Sequence, residues 1–194
     1  MERLTQWTHL GLHAIVRPGD VVVDATLGNG HDARVLAECV GPGGEVHAFD
    51  VQEAALVESR VRLAGLDQVQ LHLADHAELD RHLPAQHCGR VRAFVFNLGF
   101  LPGAPRERAT KTASTLAALE HALHWVAPDG VISCTCYRGH DGSDDEAEQV
   151  AAWFEACAQD GARLTRIERR ATRAPAPFVL WLERRPGDRI RTPR

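Results

Sequence analysis

The chain lacks long hydrophobic runs, paired cysteine motifs and, with one exception, lysine. No apolar run reaches the length of a membrane span, and residues 1–16 carry polar and charged side chains where a secretion signal needs an apolar core. We therefore expect a cytoplasmic protein that does not bind a membrane. The cysteine count of five is odd and there is no secretory context, which argues against a disulfide framework, and no Cys-x-x-Cys pair is present. Internal repeats and linkers are also missing, so we predict a single domain over residues 1–194.

Lys111 is the only lysine, so almost all the basic charge is arginine, and that charge is unevenly distributed. Residues 163–194 contain ten arginines against three acidic residues, whereas the chain as a whole has a net charge of −4. Arginine binds phosphate through two parallel hydrogen bonds, so this segment is a candidate nucleic-acid surface. The alternative is an ordinary solvated edge of the domain.

Apolar runs alternate with amphipathic segments and Gly/Pro breaks along the whole chain. This alternation predicts a Rossmann-like, doubly wound α/β fold with helices on both faces of a seven-stranded sheet. The predicted strands are Val21–Ala25, Glu45–Asp50, Val69–Leu73, Arg92–Phe96, Val131–Tyr137, Arg163–Arg170 and Phe178–Arg185. The predicted helices are Thr5–Val16, within an N-terminal segment 1–17, His31–Cys39, Gln52–Ala64, Thr112–Val126 and Asp144–Gln159, with a short helical stretch around Glu78–His82.

The last two predicted strands lie within the Arg-rich segment 163–194, and only a short, helix-free connection separates them. A crossover to a parallel neighbour needs a dozen or more residues, so this pair should be antiparallel. We therefore expect a mostly parallel sheet with one antiparallel strand. Class I methyltransferases usually have that arrangement, and dinucleotide dehydrogenases usually lack it.

A glycine-rich turn follows the first predicted strand and opens a helix. Gly28-Asn29-Gly30-His31-Asp32-Ala33 fits the pattern G-x-G-x-x-[G/A], in which glycines let a ligand approach the backbone closely. Asp50 ends the second strand, where a carboxylate can accept both hydroxyls of a ribose. Dinucleotide sites and S-adenosylmethionine (SAM) sites share these features, so the turn alone does not separate them.

Further polar residues at the ends of the strands favour SAM. Asp24 and Asp32 flank the turn, where carboxylates repel a pyrophosphate but attract the ammonium group of a methionine. Asp75 and His76 follow the third strand, at the place where an adenine amino group would be met. Asn97 follows the apolar run of the fourth strand and is a candidate acceptor of hydrogen bonds near a transferred methyl group.

These residues belong to longer motifs that resemble one known family. The runs DATLGNGHD, FDVQ, NLGFLPG, TK followed by TLAAL, YRGHDG and APF occur in order from about His9 to Glu183. They are similar to the MnmM-type tRNA methyltransferases, formerly described as rRNA methylases. The resemblance implies a class I SAM-dependent fold and methylation of the aminomethyl nitrogen of 5-aminomethyl(-2-thio)uridine at the tRNA wobble position. It also implies a tRNA anticodon stem-loop as the partner, and a homodimer is possible.

The resemblance extends the set of candidate site residues. The predicted cofactor-binding residues are Asp24, Gly28, Asn29, Gly30, His31, Asp32, Asp50, Gln52, Asp75, His76, Asn97 and Leu98. The predicted catalytic residues are Asn97, Tyr137 and His140. The predicted substrate-binding residues are Phe100, Leu101, Pro102, Gly103, Thr110, Lys111 and Arg138. In this scheme His140 or Tyr137 accepts the proton of the acceptor amine through water.

Some positions depart from the family pattern. Phe100 stands where the family usually has Tyr, and Ser143 stands where it has Gly. Residues 104–106 replace a more usual glycine-acid-lysine run. These differences affect the details of the substrate loops rather than the cofactor site.

Other functions are compatible with parts of the pattern. A SAM-dependent methyltransferase of rRNA or of a small molecule needs the same cofactor site, and a nicotinamide oxidoreductase shares the glycine turn and Asp50. A non-enzymatic RNA-binding module is a third alternative. We predict no metal site. His72, His76, His82, His87 and Cys88 are residue types that bind zinc, but their spacing fits no known ligand pattern.

Overall fold

The computed structural model describes residues 4–99, 111–138, 143–169, 176–185 and 187. Seven strands form one sheet in the order β3-β2-β1-β4-β5-β7-β6. The strands are Val21–Asp24 (β1), Glu45–Asp50 (β2), Val69–Leu73 (β3), Val91–Leu98 (β4), Val126–Cys136 (β5), Arg163–Glu168 (β6) and Phe178–Glu183 (β7). The predicted seven-stranded Rossmann-like sheet is confirmed.

In the described part of the chain, six α-helices connect or cover the strands. They are Leu4–Ile15 (α1), His31–Val40 (α2), Glu53–Arg62 (α3), Leu79–His82 (α4), Thr112–Trp125 (α5) and Ser143–Gln159 (α6), and 3₁₀ turns occur at His76–Glu78 and Ala85–His87. Within the described ranges, no helix combines the length and apolar character that crossing a membrane requires. The bounds of all six helices agree with the sequence prediction to within a few residues. The 3₁₀ turn at Ala85–His87 was not predicted.

Strand directions in the sheet follow the lengths of the connections. Strands β1 to β5 pair in parallel with one another where they are adjacent. β7 is antiparallel to both β5 and β6, with Cys136 opposite Phe178 and Glu168 opposite Phe178 in the two ladders. The antiparallel pairing predicted from the short final connection is therefore correct.

The start of β5 was predicted wrongly. Pro128-Asp129-Gly130 resembles a turn, but the strand begins at Val126 and passes through it. The pairing with β4 shifts between Val91 and Ala93, which makes this segment a bulge. Gly130 is required there, because a Cβ atom at this position would lie 2.7 Å from a Val126 methyl and 2.8 Å from a backbone oxygen.

Two hydrophobic cores cover the two faces of the sheet. One contains the fully buried side chains of Phe49, Phe94, Phe96 and Phe154 and lies beneath α4, α5 and α6. The other packs α1, α2 and α3 against the opposite face and includes Leu12, Leu36 and Val46. Helices on both faces explain why β1 and β4 are almost entirely apolar, as buried parallel strands require.

Several C-terminal arginines are engaged within the protein. Arg163 pairs with Glu183 at 3.4 Å, and Arg166 pairs with Glu168 at 2.9 Å. The Arg166 guanidinium also lies 3.9 Å from the centre of the Phe178 ring, and Phe178 is buried in the core. Arg184 donates a hydrogen bond to the backbone oxygen of Val126. A nucleic-acid surface in this segment stays a prediction.

A layer of four histidines lies between residues 79–90 and two strands, the edge strand β3 and its neighbour β2. We call this group, made up of His47, His72, His82 and His87, the histidine layer. The His47 and His72 rings stack with their centres 5.4 Å apart, and the His72 and Phe49 rings stack with their centres 4.5 Å apart. Burial, followed by the neighbouring His47 and His82, lowers the pKa of His72 to about 4. This ring is therefore neutral at physiological pH.

Candidate active site

The candidate site lies where the parallel strands end. Asp24 ends β1, Asp50 ends β2, and Asn97 is the next-to-last residue of β4. Because the strands run in parallel, their carboxyl ends meet at one edge of the sheet, and the loops beyond them form a crevice. The structure thus brings together the acidic residues that the sequence places at separate points in the chain.

The glycine turn forms one wall of this crevice. Gly28 and Gly30 adopt left-handed backbone conformations, with φ angles of 49° and 75°. The turn is closed by a hydrogen bond from the Gly30 amide to the Leu27 carbonyl, and Arg62 from α3 donates to the Asn29 carbonyl at 2.6 Å. These two hydrogen bonds therefore fix the backbone of the turn.

Asp50 has the geometry of a ribose-binding carboxylate. One of its oxygens accepts the Gly28 amide and the other accepts the Gln52 amide, both at 2.9 Å. A carboxylate oxygen has two acceptor positions, so each retains one toward the crevice. The two amides hold the carboxylate in the orientation needed to accept a pair of neighbouring hydroxyls.

Asp24 is a fully buried carboxylate with one unpaired oxygen. Its Oδ1 accepts the Thr26 amide at 3.1 Å, whereas its Oδ2 has no hydrogen-bond partner in the described part of the chain. Burial, followed by repulsion from Asp32, raises the pKa of Asp24 well above its usual range, and Asp50 adds to this effect. A buried carboxylate oxygen without a hydrogen-bond partner favours the binding of a cationic or hydrogen-bond-donating ligand.

Asp32 connects the glycine turn to two other elements. Its Oδ1 lies 2.5 Å from the Nε2 atom of His9 on α1, and its Oδ2 accepts a hydrogen bond from the Asn97 side-chain amide at 2.7 Å. The Asn97 backbone amide donates to the Thr26 hydroxyl at 2.7 Å. Asp32 thus joins α1, the turn and the end of β4, and the contribution from His9 was not predicted.

A second cluster lies beyond β3. His76 is buried, with Nδ1 3.2 Å from the Ala25 carbonyl oxygen and Nε2 3.2 Å from the Ser114 hydroxyl. Asp75 accepts hydrogen bonds from Ser114 and from the Ala77 amide. Burial alone would raise the pKa of Asp75, but the hydrogen bonds from Ser114 and Ala77 outweigh it and lower the pKa. Asp75 is therefore an ionised, half-exposed acceptor at the edge of the crevice.

Comparisons with known proteins agree with this geometry. The family described as "Putative rRNA methylase" matches residues 46–183. The chain belongs to this family. A tRNA (mnm(5)s(2)U34)-methyltransferase, chloroplastic, of Arabidopsis thaliana is 34% identical over 163 residues, which cover 78% of this chain and 59% of that protein. The matched segment thus spans less than two thirds of the plant relative.

Two solved structures have the same fold over nearly the whole chain. A Clostridium thermocellum protein described as an rRNA methylase has a TM-score of 0.88 and 30% identity, covering 94% of this chain and 98% of its own. A Streptococcus mutans methyltransferase in complex with SAH (S-adenosylhomocysteine) has a TM-score of 0.83 and 28% identity, with the same two coverages. The family identified from the sequence motifs is therefore confirmed, and the SAH-bound relative favours a SAM-type cofactor over a dinucleotide.

The observed crevice fits that cofactor. The unpaired Oδ2 of Asp24 and the unpaired, buried Oδ1 of Asn29 offer acceptors for an ammonium group, within the described residues. The two free acceptor positions of Asp50 suit the ribose hydroxyls. Three carboxylates close together, namely Asp24, Asp32 and Asp50, disfavour a pyrophosphate.

The other predicted cofactor residues differ in accessibility. His31 is exposed at the start of α2, and Gln52 is buried at the start of α3. The Leu98 side chain belongs to the hydrophobic core, so only its backbone is placed to line the crevice. Both ring nitrogens of His76 lie within hydrogen-bond distance of protein oxygens, which fixes the ring behind Asp75. Direct contacts of these residues with the cofactor stay predictions.

The predicted catalytic and substrate residues are only partly described. Tyr137 is 40% exposed just after β5, and its amide donates to the Leu98 carbonyl at 3.3 Å, which places it beside the end of β4. Arg138 pairs with Asp144 at 2.8 Å, and Lys111 is exposed at the start of α5. The predictions for Phe100, Leu101, Pro102, Gly103, Thr110 and His140 lie outside the described residues.

Proposed function

We propose that this protein is a SAM-dependent N-methyltransferase that acts on RNA. The specific reaction is conversion of 5-aminomethyl(-2-thio)uridine to 5-methylaminomethyl(-2-thio)uridine at the tRNA wobble position, in the cytoplasm. The observation that carries the proposal is the buried Asp24 carboxylate, whose Oδ2 is unpaired among the described residues, beside the Asp32–Asn97 hydrogen bond. The name of the plant relative supports the choice of tRNA.

Asp24, Asn29 and Asp50 would hold the methionine and ribose parts of SAM. When bound, SAM supplies an electrophilic methyl group. Burial of Asp24 and the fixed amides around Asp50 mean that these acceptors need little rearrangement on binding. Asp75 would face the adenine of SAM, where its ionised carboxylate can accept a hydrogen bond from the adenine amino group.

Asn97 is placed to orient the acceptor amine. Its Nδ2 donates to Asp32, which fixes the orientation of the amide and leaves Oδ1 as its acceptor. An alkylamine has a reference pKa of about 10.4 and is mostly protonated at pH 7, so it must lose a proton before it is methylated. Partial desolvation in the crevice favours the neutral amine. The Asn97 Oδ1 would then accept one of its remaining N–H groups.

Asn97→Ala should lower kcat by about 100-fold, the usual effect of removing one preorganised hydrogen-bonding group from a reaction centre. The Kd for SAH should change by less than about tenfold, because Asp24 and Asp50 keep their own partners. Steady-state kinetics and calorimetric titration with SAH measure the two effects. Gln149→Ala, which truncates an exposed amide on α6, serves as the control and should change neither value. An unchanged kcat in Asn97→Ala would remove Asn97 from the reaction centre.

The substrate is tested with SAM carrying a deuterated methyl group and tRNA from cells that cannot add this final methyl. Mass spectrometry of the digested tRNA should find the label in 5-methylaminomethyl nucleosides. Label in another nucleoside, or in rRNA supplied in parallel, would retain a methyltransferase but overturn the substrate. No label in any RNA, with SAH still bound, would overturn the proposed RNA substrate. A reaction without the protein provides the blank.

A further inference from the structure

A second cluster of potential ligands lies at the opposite end of the sheet from the crevice. Glu45 begins β2 and His47 is two residues further along the same strand, while His87 ends the 3₁₀ turn Ala85–His87. One ligand atom from each of the three residues lies within 4.8 Å of the other two. Glu45 and Asp50 are five residues apart on β2, or about 16 Å at the usual strand rise. The cluster is therefore separate from the candidate active site.

The distances in this cluster match those between ligands of a tetrahedral metal ion. The Glu45 Oε2 lies 3.3 Å from the His47 Nε2 and 3.3 Å from the His87 Nε2. Bonds of about 2.0–2.1 Å to zinc place neighbouring tetrahedral ligands about 3.3–3.4 Å apart. The carboxylate is thus already at ligand separation from each imidazole, and the three ligand atoms all lie within 4.8 Å of one another.

The two imidazole nitrogens are buried and lack other partners. His47 is fully buried and His87 is 8% exposed, and neither Nε2 atom has a hydrogen-bond partner among the described residues. Unpaired buried nitrogens are uncommon and require an explanation. A metal ion bound between them and Glu45 would satisfy both.

The histidine layer also supplies an outer contact. The His47 Nδ1 lies 3.2 Å from the His72 Nε2, so the two rings share a hydrogen bond on the side of His47 away from Glu45. Such a contact fixes the ring orientation of a metal-binding histidine. On the other side, Gln70 contacts the Glu45 Oε2 at 3.4 Å, and the Glu45 side chain is 39% exposed. An ion can therefore enter from solvent, and water can take the fourth position.

From these observations we propose that Glu45, His47 and His87 form a binding site for a divalent transition-metal ion, with zinc as the best match. Two imidazoles and one carboxylate suit zinc and its chemical neighbours rather than magnesium or calcium, which prefer oxygen ligands. The ion would join β2 to the segment between α4 and β4. Its role is structural, because it lies at the amino ends of the strands.

The sequence prediction of no metal site missed this set for a clear reason. The zinc candidates weighed from spacing were His72, His76, His82, His87 and Cys88, which include only one of the three proposed ligands. Glu45 and His47 come from β2, some 40 residues before His87, and only the fold brings them together.

The test measures zinc binding to chelator-treated protein in competition with a chromophoric chelator. A Cys39→Ser/Cys88→Ser background removes two surface thiols, each 3.3 Å from a histidine nitrogen, that offer competing two-ligand sites. One zinc ion should bind per chain and raise the Tm. Cobalt substituted for zinc should give the visible absorption of a tetrahedral site.

The variants locate the site. Glu45→Gln and His87→Gln should each weaken zinc binding by at least about tenfold, the lower bound seen when even outer contacts of a metal site are lost. His82→Gln, an exposed member of the histidine layer, should bind like the background protein. Glu45→Gln alters a partly exposed side chain, so it keeps the test valid if His87→Gln fails to fold. Absence of binding, or equal binding by Glu45→Gln and the background protein, would overturn the proposal.

Discussion

Asp24→Asn is expected to weaken SAH binding by about 10- to 100-fold, the usual worth of a hydrogen bond to a charged group. The cofactor-free variant should nevertheless be at least as stable as the wild type. Asp24 is fully buried with an unpaired oxygen, so its ionised form is costly to the empty protein. Calorimetric titration with SAH and thermal unfolding without it measure the two effects. The control is Asp67→Asn, which changes an exposed aspartate and should alter neither.

The pH dependence of stability should distinguish Asp24→Asn from the wild type. The pKa of Asp24 is raised in the folded state, chiefly by burial and then by Asp32, so the folded chain holds this proton more tightly than the unfolded chain. Ionisation of Asp24 therefore lowers the free energy of unfolding as the pH rises from the pKa of this group in the unfolded chain to its raised pKa in the folded chain. Asp24→Asn lacks this loss, so its advantage in free energy of unfolding should grow over that range. An advantage that stays constant with pH, or a less stable variant, would contradict the assignment of a strained carboxylate.

Gly30→Ala should lower the free energy of unfolding by about 2–5 kcal/mol, combining left-handed backbone strain with overpacking. Gly30 has a φ angle of 75°, and a Cβ atom there would lie 2.9 Å from the Cβ of Ser59 on α3. The glycine turn and α3 would have to separate, and the Arg62–Asn29 hydrogen bond joins the same two elements. SAH binding should fall together with stability.

Urea denaturation with two further variants tests the cause. Gly65→Ala also places a side chain at positive φ, but with open space around it, so it should cost only about 1–2 kcal/mol. Ser59→Gly removes the atom that clashes, so it should destabilise the Gly30→Ala background much less than it destabilises the wild type. Equal costs for Gly30→Ala and Gly65→Ala would show that contact with α3 is unimportant.

Local sequence patterns predicted the buried strands well. The bounds of β2 and β3 agree with the prediction, because each strand is set off by glycine, proline or polar residues. The start of β5 could not be predicted, because Pro128-Asp129-Gly130 has the composition of a turn. Its course as a bulge depends on the contact of Gly130 with β4, a strand about 35 residues away in the chain.

The candidate site likewise combines residues that could be predicted from the sequence with residues that could not. Asp24 and Asp50 were predictable, because each directly follows an apolar strand and parallel strands bring their carboxyl ends together. His9 was not, because it contacts Asp32 across 23 residues and helix periodicity does not say what α1 covers. The pairing of Arg163 with Glu183 was equally hidden, because it depends on the register of β6 and β7.

The position of β7 has a consequence for how the chain is synthesised. Among the described strands, β7 is the last to leave the ribosome, yet it lies between β5 and β6. Until residues 178–183 emerge, β5 has an open edge, and β6 has no neighbour among the described strands. A chain interrupted after Glu168 would expose an unpaired apolar strand edge, which promotes aggregation. Interruption of the chain between Glu168 and Phe178 would therefore leave the sheet incomplete, because β7 is the strand that joins β6 to β5.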